Sequence, residues 1–378
     1  MKNNAPQFSA IVEKSALVSI LARIMAIVEK RNTVPILKFV KIESFDNSLK
    51  FTATDLDIEI SDVIELPDEI AAHGAFCASA DILYDIARKV PNGSQVSLEV
   101  DDKDRLSIKA GRSKFNIPTL EHLDFPHMTN VELEEHIEIS CDDLALILDK
   151  TKLFMATDDV RYYLGGVYLH RRDDKFKFVA TDGHRLAYYE MPATSDALKE
   201  YGIIIPRKTI NEMRRLIGTF PSDEGIRIGI SQQKVQFAIK DMVLTSKLID
   251  GSFPDYDRVI PKDHEAILKA RVMDLKGGID RISVLTNDKA RSLRFEAGAD
   301  CLKVSSVNSD NGSGYEDIPA EYSGDDLTIG FNSKYTQEAL GLVDSQDVQI
   351  YLGGSSSPAL IRSPENDNFL FVIMPLRV

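Results

Sequence analysis

The sequence predicts an α+β protein made of three copies of one module, each an antiparallel sheet with two helices segregated to one face. A strand run recurs at a long fixed spacing, strand-like segments far outnumber helical ones, and two amphipathic helices fall at matching points of each copy. The 378 residues are too many for one core at roughly 150 residues per domain, and suit two or three.

The repeat comes first. Leu49-Lys50-Phe51-Thr52-Ala53-Thr54-Asp55 returns as Lys175-Phe176-Lys177-Phe178-Val179-Ala180-Thr181-Asp182, 127 residues later at the alanine. Both read as a strand of alternating pattern that ends in Ala-Thr-Asp. Asp124-Phe125-Pro126 returns in Ser252-Phe253-Pro254-Asp255-Tyr256 at a spacing of 128. A degenerate third copy opens near residue 257, with Leu302-Lys303-Val304-Ser305-Ser306 standing where the Phe51 strand stood. The modules expected are 1–130, 131–256 and 257–378.

The helices follow in order. Leu17, Leu21, Ile24 and Val28 recur at helical spacing and predict a helix over Ser15–Lys30, stopped by Thr33-Val34-Pro35. A second, Ser79–Lys89, ends at Pro91-Asn92-Gly93. The middle module offers Asp142–Met155 and Pro206–Ile217, the latter with proline near its first turn, as helix starts prefer. The last offers Val272–Leu285 and Ser333–Val343, although Gly277-Gly278 weakens the former by roughly 1 kcal/mol per glycine.

Composition bounds the function. Hydrophobic residues are 43% and charged residues 28%, ordinary for a globular chain. Cys77, Cys141 and Cys301 are odd in number and form no CxxC pair, so reduced thiols are expected, with neither a disulfide framework nor a zinc ribbon. Met1 to Gln7 is polar and no window approaches the ~20 apolar residues of a membrane span, which places the protein in the cytoplasm with no membrane partner. A net charge of −14 opposes bulk attraction to nucleic acid, so any DNA contact must use segregated charge.

Such segregation is visible on the helices. Ser19, Arg23, Ala26 and Lys30 form a small or basic stripe opposite the apolar one, and Arg207, Asn211 and Arg214 form another, flanked by Lys208 and Arg215. Lys150, Lys152, Lys276 and Arg281 add to them. A single such stripe is usually a solvated helix face. Repeated over the modules, the stripes could line one basic surface that meets phosphates without reading bases.

Catalysis finds little support. Thr181-Asp182-Gly183-His184-Arg185 brings together a carboxylate, an imidazole and a guanidinium, yet no GxSxG motif supplies a nucleophile. No HExxH, GxGxxG or GxxxxGK[ST] pattern offers a metal or phosphate site, and no cofactor or catalytic residue is expected. The first module continues Asp55-Leu56-Asp57 instead, so Gly-His-Arg is an addition to one copy. Leu164, Gly183 and Leu186 with the terminal Val372-Ile373-Met374-Pro375-Leu376-Arg377-Val378 would make an apolar surface with arginines at its rim, suited to a short peptide. A buried C-terminal strand is the plainer alternative.

Several motifs, in this order, resemble the beta subunit of bacterial DNA polymerase III, the sliding clamp family, over the whole chain. They are Thr33-Val34-Pro35-Ile36-Leu37, Gly111-Arg112-Ser113-Lys114-Phe115, Asp159-Val160-Arg161-Tyr162-Tyr163-Leu164, Ala180-Thr181-Asp182-Gly183-His184-Arg185-Leu186, Thr245-Ser246-Lys247-Leu248-Ile249-Asp250-Gly251, Phe253-Pro254-Asp255-Tyr256 and Met374-Pro375-Leu376-Arg377. The resemblance implies a head-to-tail homodimeric ring of six modules, sheets outside and helices inside, around double-stranded DNA irrespective of sequence. It implies a non-enzymatic processivity factor that holds the polymerase III catalytic subunit, is opened by a separate clamp loader, and receives other proteins carrying a clamp-binding motif.

Residue by residue, the family's peptide pocket falls on Leu164, Thr181, Gly183, His184, Arg185, Leu186, Pro254, Val259, Val372, Met374, Leu376 and Arg377. Its DNA-facing positions fall on Arg31, Arg161, Tyr162 and Tyr163, and its subunit contact on Phe115 and Ile117 against Val284 and Leu285. The chain departs from the family pattern at Asp81, often basic, at Asp158, commonly neutral, and at Leu376, frequently methionine. A peptide-binding scaffold that never encircles DNA is the alternative from another class.

Overall fold

The computed structural model describes residues 7–29, 34–129, 133, 135–158, 160–193, 201–264, 266–286, 291–308 and 311–377. A ten-element order occurs three times: a strand, a helix, four strands, a helix and three strands. The first run is β1 (Phe8–Glu13), α1 (Lys14–Ile24), β2 (Phe39–Phe45), β3 (Ser48–Thr54), β4 (Ile58–Glu65), β5 (Ala75–Ser79), α2 (Ala80–Lys89), β6 (Gln95–Val100), β7 (Arg105–Ala110) and β8 (Ser113–Leu120). The second is β9 (Glu135–Ser140), α3 (Cys141–Thr151), β10 (Gly166–Arg172), β11 (Lys175–Thr181), β12 (Arg185–Pro192), β13 (Tyr201–Pro206), α4 (Arg207–Ile217), β14 (Gly225–Ile230), β15 (Lys234–Ile239) and β16 (Met242–Lys247). The third is β17 (Ala266–Arg271), α5 (Val272–Ser283), β18 (Ser292–Ala297), β19 (Cys301–Asn308), β20 (Gly312–Tyr322), β21 (Leu327–Asn332), α6 (Ser333–Leu340), β22 (Asp347–Leu352), β23 (Ala359–Arg362) and β24 (Phe369–Ile373).

The chain forms two bodies, Met1–Leu144 with Asn211–Leu248 and Ala145–Ile210 with Ile249–Val378. Each holds one antiparallel sheet of twelve strands. In the first body the order is β1-β6-β7-β8-β5-β2-β3-β4-β16-β15-β14-β9, and in the second β13-β10-β11-β12-β24-β23-β22-β17-β20-β19-β18-β21. Two pairings join the repeats: β16 lies on β4 with Val243 opposite Ser61, and β24 lies on β12 with Leu370 opposite Tyr188. β8 and β20 keep one edge unpaired over residues 113–118 and 312–319 among the described residues, because β8 meets β5 only at Thr119 and Leu120, and β20 meets β17 only from Ala320. Such edges are templates for another strand.

Local sequence accounts for most of this. In α1, Leu17, Ile20, Leu21 and Ile24 are fully buried, each contributing about 1.5–3 kcal/mol by leaving water. The helix is shorter than its periodicity predicts. Ala26 and Ile27 donate to the carbonyls of Arg23 and Ile24, tightening the last turn, and Val28 reaches the core from beyond the helix. Gly278 in α5 repays its low helix propensity, since a Cβ there would lie 2.4 Å from Ile318 Cδ1 of β20. β11 is covered on both faces: Phe176 to Thr181 are all buried. Its outer face is covered by the segment after β16, whose Tyr256 packs in one apolar cluster with Val179. Among the described residues no helix is long and apolar enough to cross a membrane, and no cluster of three or more His, Cys, Asp or Glu side chains could hold a metal ion.

Candidate functional site

In the second body the turn from β11 to β12 is held by its own side chains. Thr181 Oγ1 donates to the Arg185 carbonyl at 2.7 Å and accepts from Gly183 N at 3.0 Å. Asp182 Oδ1 accepts from His184 N at 2.9 Å and Arg185 N at 3.1 Å. Gly183 adopts φ +84°, the left-handed region where glycine is unstrained, and a Cβ would stand 2.4 Å from Arg161 Nη1. In the first body Leu56 occupies the matching point of the repeat at φ +81°.

Beyond the turn, Leu186 faces Val372 across the β12–β24 pairing. Both are buried in a cluster with Val179, Tyr188, Tyr256, Leu360 and Leu370, and the half-buried Val259, Phe253, Ile260 and Tyr351 pack against it. Met374 N donates to the His184 carbonyl at 2.9 Å, and Leu376 N to Gly330 O at 2.8 Å. The terminal residues Val372–Leu376 therefore border the turn while His184, Pro254 and Arg377 stay exposed. Leu164 is buried at the end of a single 3₁₀ turn, Tyr162–Leu164. The result is an apolar floor with partly exposed side chains along it, flanked by backbone groups and a histidine, which suits a short extended segment.

Arg185 is not the rim cation expected. It is buried, and its guanidinium donates to Asp182 Oδ2 at 3.0 Å, to Glu338 and to the Leu153 carbonyl, while lying 4.9 Å from the Phe154 ring centre and 4.3 Å from that of Tyr335. A planar fork with five donors suits such a site, and here it ties the turn to α6. Tyr335 also stacks near the His184 ring at 6.4 Å.

Sequence reasoning missed the aromatic wall. His170 Nε2 lies 2.8 Å from the Tyr256 hydroxyl, and Tyr168 stacks on Phe253 with centroids 4.7 Å apart. Burial pushes the His170 imidazole down to about 4, with the Lys177 ammonium adding to the effect. Burial raises Tyr256 and Tyr188 above the ordinary phenol range. Tyr168, His170, Phe253 and Tyr256 border an open cleft of about 530 Å³ that also takes in Pro254. The recurring Phe-Pro motif pointed to this segment but not to its histidine partner.

The basic stripes are more engaged than their spacing suggests. On α1, Arg23 Nε lies 2.5 Å from the buried Asp62 carboxylate, Nη1 donates to Ser19 Oγ at 2.9 Å, and the guanidinium lies 5.4 Å from the Phe220 ring centre. Burial raises the Asp62 carboxyl above its usual range although Arg23 pulls it down. Lys150 is buried, bonded to Asp344 at 2.5 Å and to the Leu342 carbonyl, so it is not a surface cation. Arg207 Nη1 donates to Ala156 O at 3.0 Å, Lys152 pairs with Asp149, Arg215 with Glu212 and Arg281 with Glu316. Arg214 is half-buried and Lys276 likewise, while Lys30 and Arg31 lie outside the described residues. Arg161 is half-exposed beside the exposed Tyr162 and the half-buried Tyr163, whose rings meet edge to face at 5.8 Å.

The expected subunit contact falls beside the two open strand edges. Phe115 and Ile117 lie on β8, Phe115 37% exposed and Ile117 turned into its own core at 7%. Val284, 79% exposed, follows α5, and Leu285 covers β20, where a Cβ on Gly314 would stand 2.7 Å from it.

Family models of the DNA polymerase III beta subunit match in chain order: the N-terminal domain over residues 8–129, the central domain over 138–255 and the C-terminal domain over 257–377. The chain belongs to the DNA polymerase III beta subunit family. Within this family it is 38% identical to a beta sliding clamp of Caulobacter vibrioides, covering 97% of this chain and 99% of the relative. It is 33% identical to one of Pseudomonas aeruginosa over the same shares. A solved Pseudomonas aeruginosa sliding clamp bound to griselimycin superposes with a TM-score of 0.94 at 32% identity, covering 98% of this chain and all of that one. A DNA polymerase sliding clamp from Caulobacter crescentus gives 0.92 at 37% identity over 98% and 100%. The α+β repeat architecture is thus that of the beta subunit family.

Proposed function

We propose that this beta subunit acts, without catalytic centre or cofactor, as a DNA sliding clamp in the cytoplasm. Two copies close head to tail around duplex DNA and hold the polymerase III catalytic subunit to its template, and a separate loader opens the ring. The three modules of the closed unit are 1–130, 131–256 and 257–378. Heterologous contacts of this kind form rings when the rotation closes.

The observation that carries the proposal is the pair of open edges. Within the chain, the last strand of a repeat pairs with the fourth strand of the repeat before it, β16 on β4 and β24 on β12. Only β8 and β20 lack such a partner among the described residues, and β8 of one copy fits β20 of another in the same way. The repeat also gives a register. Ile42, Leu169 and Phe295 face Phe51, Phe178 and Val304, which face Asp62, Tyr189 and Glu316. Tyr315 therefore stands where Ser61 and Tyr188 do. The tight turns before β8 and β16 match Lys114 to Val243. Lys114 of one copy then lies opposite Tyr315 of the other, Asn116 opposite Ser313, with Phe115 approaching Val284 and Leu285.

The apolar floor of Leu164, Leu186, Val259, Val372, Met374 and Leu376 receives short, partly apolar peptides from the polymerase, the loader and other proteins with a clamp-binding motif. Thr181, Gly183 and His184 supply its polar edge, Pro254 and Arg377 its ends, and Arg185 fixes the turn from behind. Arg161, Tyr162, Tyr163, Arg207 and Arg214 are the described residues assigned to DNA phosphates, Lys30 and Arg31 are assigned to them from the sequence alone, and Arg23 serves Asp62 first. Cysteines placed at Asn116 and Ser313 provide the test: oxidation should link two chains into a covalent dimer. Failure to link at micromolar protein, with linking only at shifted positions or none, removes the proposed pairing.

A further inference from the structure

We infer that Asp158 sets the strength of the DNA grip by competing with phosphate for Arg161; this rests on the DNA-facing reading of Arg161. Asp158 holds that arginine twice. Its Oδ1 accepts from Arg161 N at 3.0 Å and its Oδ2 from Nη2 at 2.9 Å. The other terminal nitrogen, Nη1, lies so close to Gly183 that any side chain there would collide at 2.4 Å. One edge of the fork is thus on a carboxylate and the other over the lip of the 181–186 turn, although the side chains remain 36% and 43% exposed for Arg161 and Asp158. The pairing holds the Arg161 guanidinium above and the Asp158 carboxyl below their usual ranges, so both stay charged at any physiological pH.

A phosphate can take Arg161 only by displacing Asp158, and it then meets the released carboxylate as a like charge. Exposed pairs of this kind exchange readily, so the effect is a graded weakening of grip. For a ring retained by topology, a weaker grip favours movement along the duplex. The departure at Asp158 thereby gains a role that the basic residues alone do not predict.

The test uses the intact dimer and a labelled short duplex, with binding followed by fluorescence anisotropy from about 50 to 200 mM salt. D158N keeps an oxygen to accept from Arg161 N, so the local turn is preserved. D158N should tighten binding roughly two- to fivefold and steepen the salt dependence by about 0.9 in logarithmic slope, the signature of one added phosphate contact. In an R161A background D158N should do nothing. Equal tightening with and without Arg161 would reduce Asp158 to a general charge effect and overturn the inference, as would unchanged binding by D158N where R161A alone weakens it. If R161A leaves binding and slope untouched, the DNA-facing assignment itself fails, an outcome distinct from the other two.

Discussion

Arg23→Ala should destabilise the first body strongly and in a pH-dependent way. The partner left behind, Asp62, has a side chain only 4% exposed, and Arg23 itself is 16% exposed. Removing one member of a buried ion pair costs about 3–5 kcal/mol, and the partial exposure of Arg23 places this case near 3 kcal/mol. For a body of this size that is a fall of roughly 6–12 °C in melting temperature. The sign with pH follows from Asp62. Its carboxyl is already raised by burial, and losing Arg23 removes the two largest effects that lower it. A carboxyl raised in the folded state favours folding while protonated and loses that advantage as pH rises through its folded value. The deficit of the variant should therefore be larger at pH 8 than at pH 4.5, measured by calorimetry of parent, R23A, D62A and the double variant. A loss under about 1 kcal/mol, or one equal at both pH values, would show that the pair is a surface contact. In that case Arg23 returns to the basic wall.

Other outcomes follow from the same structure. Asp at Val259, half-buried against the Leu186–Val372 cluster, should abolish binding of a clamp-motif peptide in a polarisation assay with little change in melting temperature; undiminished affinity would place the peptide elsewhere. Ellman's reagent should titrate only the exposed Cys301 in the native protein and all three thiols after denaturation, since Cys77 is buried with its thiol pushed up to about 12 and Cys141 is buried as well. Rapid native reaction of a second thiol contradicts that. His170 is held neutral down to about 4, so unfolded chains bind a proton that folded ones refuse between about 6.5 and 4. Stability from this residue is lost as pH falls through that window, and His170→Gln should flatten the acid decline of the melting temperature; an unchanged slope would mean that the histidine titrates freely.

Much of the architecture was legible because it is local and repeated. The apolar spacing of Leu17, Leu21 and Ile24 and the Ala-Thr-Asp strand ends each fix an element without long-range information. What escaped was set by partners distant in the chain. Arg185 looks like a rim cation until Glu338, 153 residues away, is seen to hold it. Arg23 belongs to a basic stripe by periodicity, yet Asp62 of β4 claims it. Val28 kept the helical spacing past the end of α1 because a residue beyond the helix can fill the same core position. His170 carried no signal at all, since its meaning lies in Tyr256 folding back over the sheet. The partly open edges of β8 and β20 likewise emerge, among the described residues, only from the long-range pairings that place β16 on β4 and β24 on β12.

The most direct test of a ring held by topology is retention after loading on closed circular DNA against the same DNA linearised, beside the molar mass in solution by light scattering. A dimer that stays on circles and runs off linear ends is the predicted result. A monomer, or equal loss from both DNA forms, would contradict it.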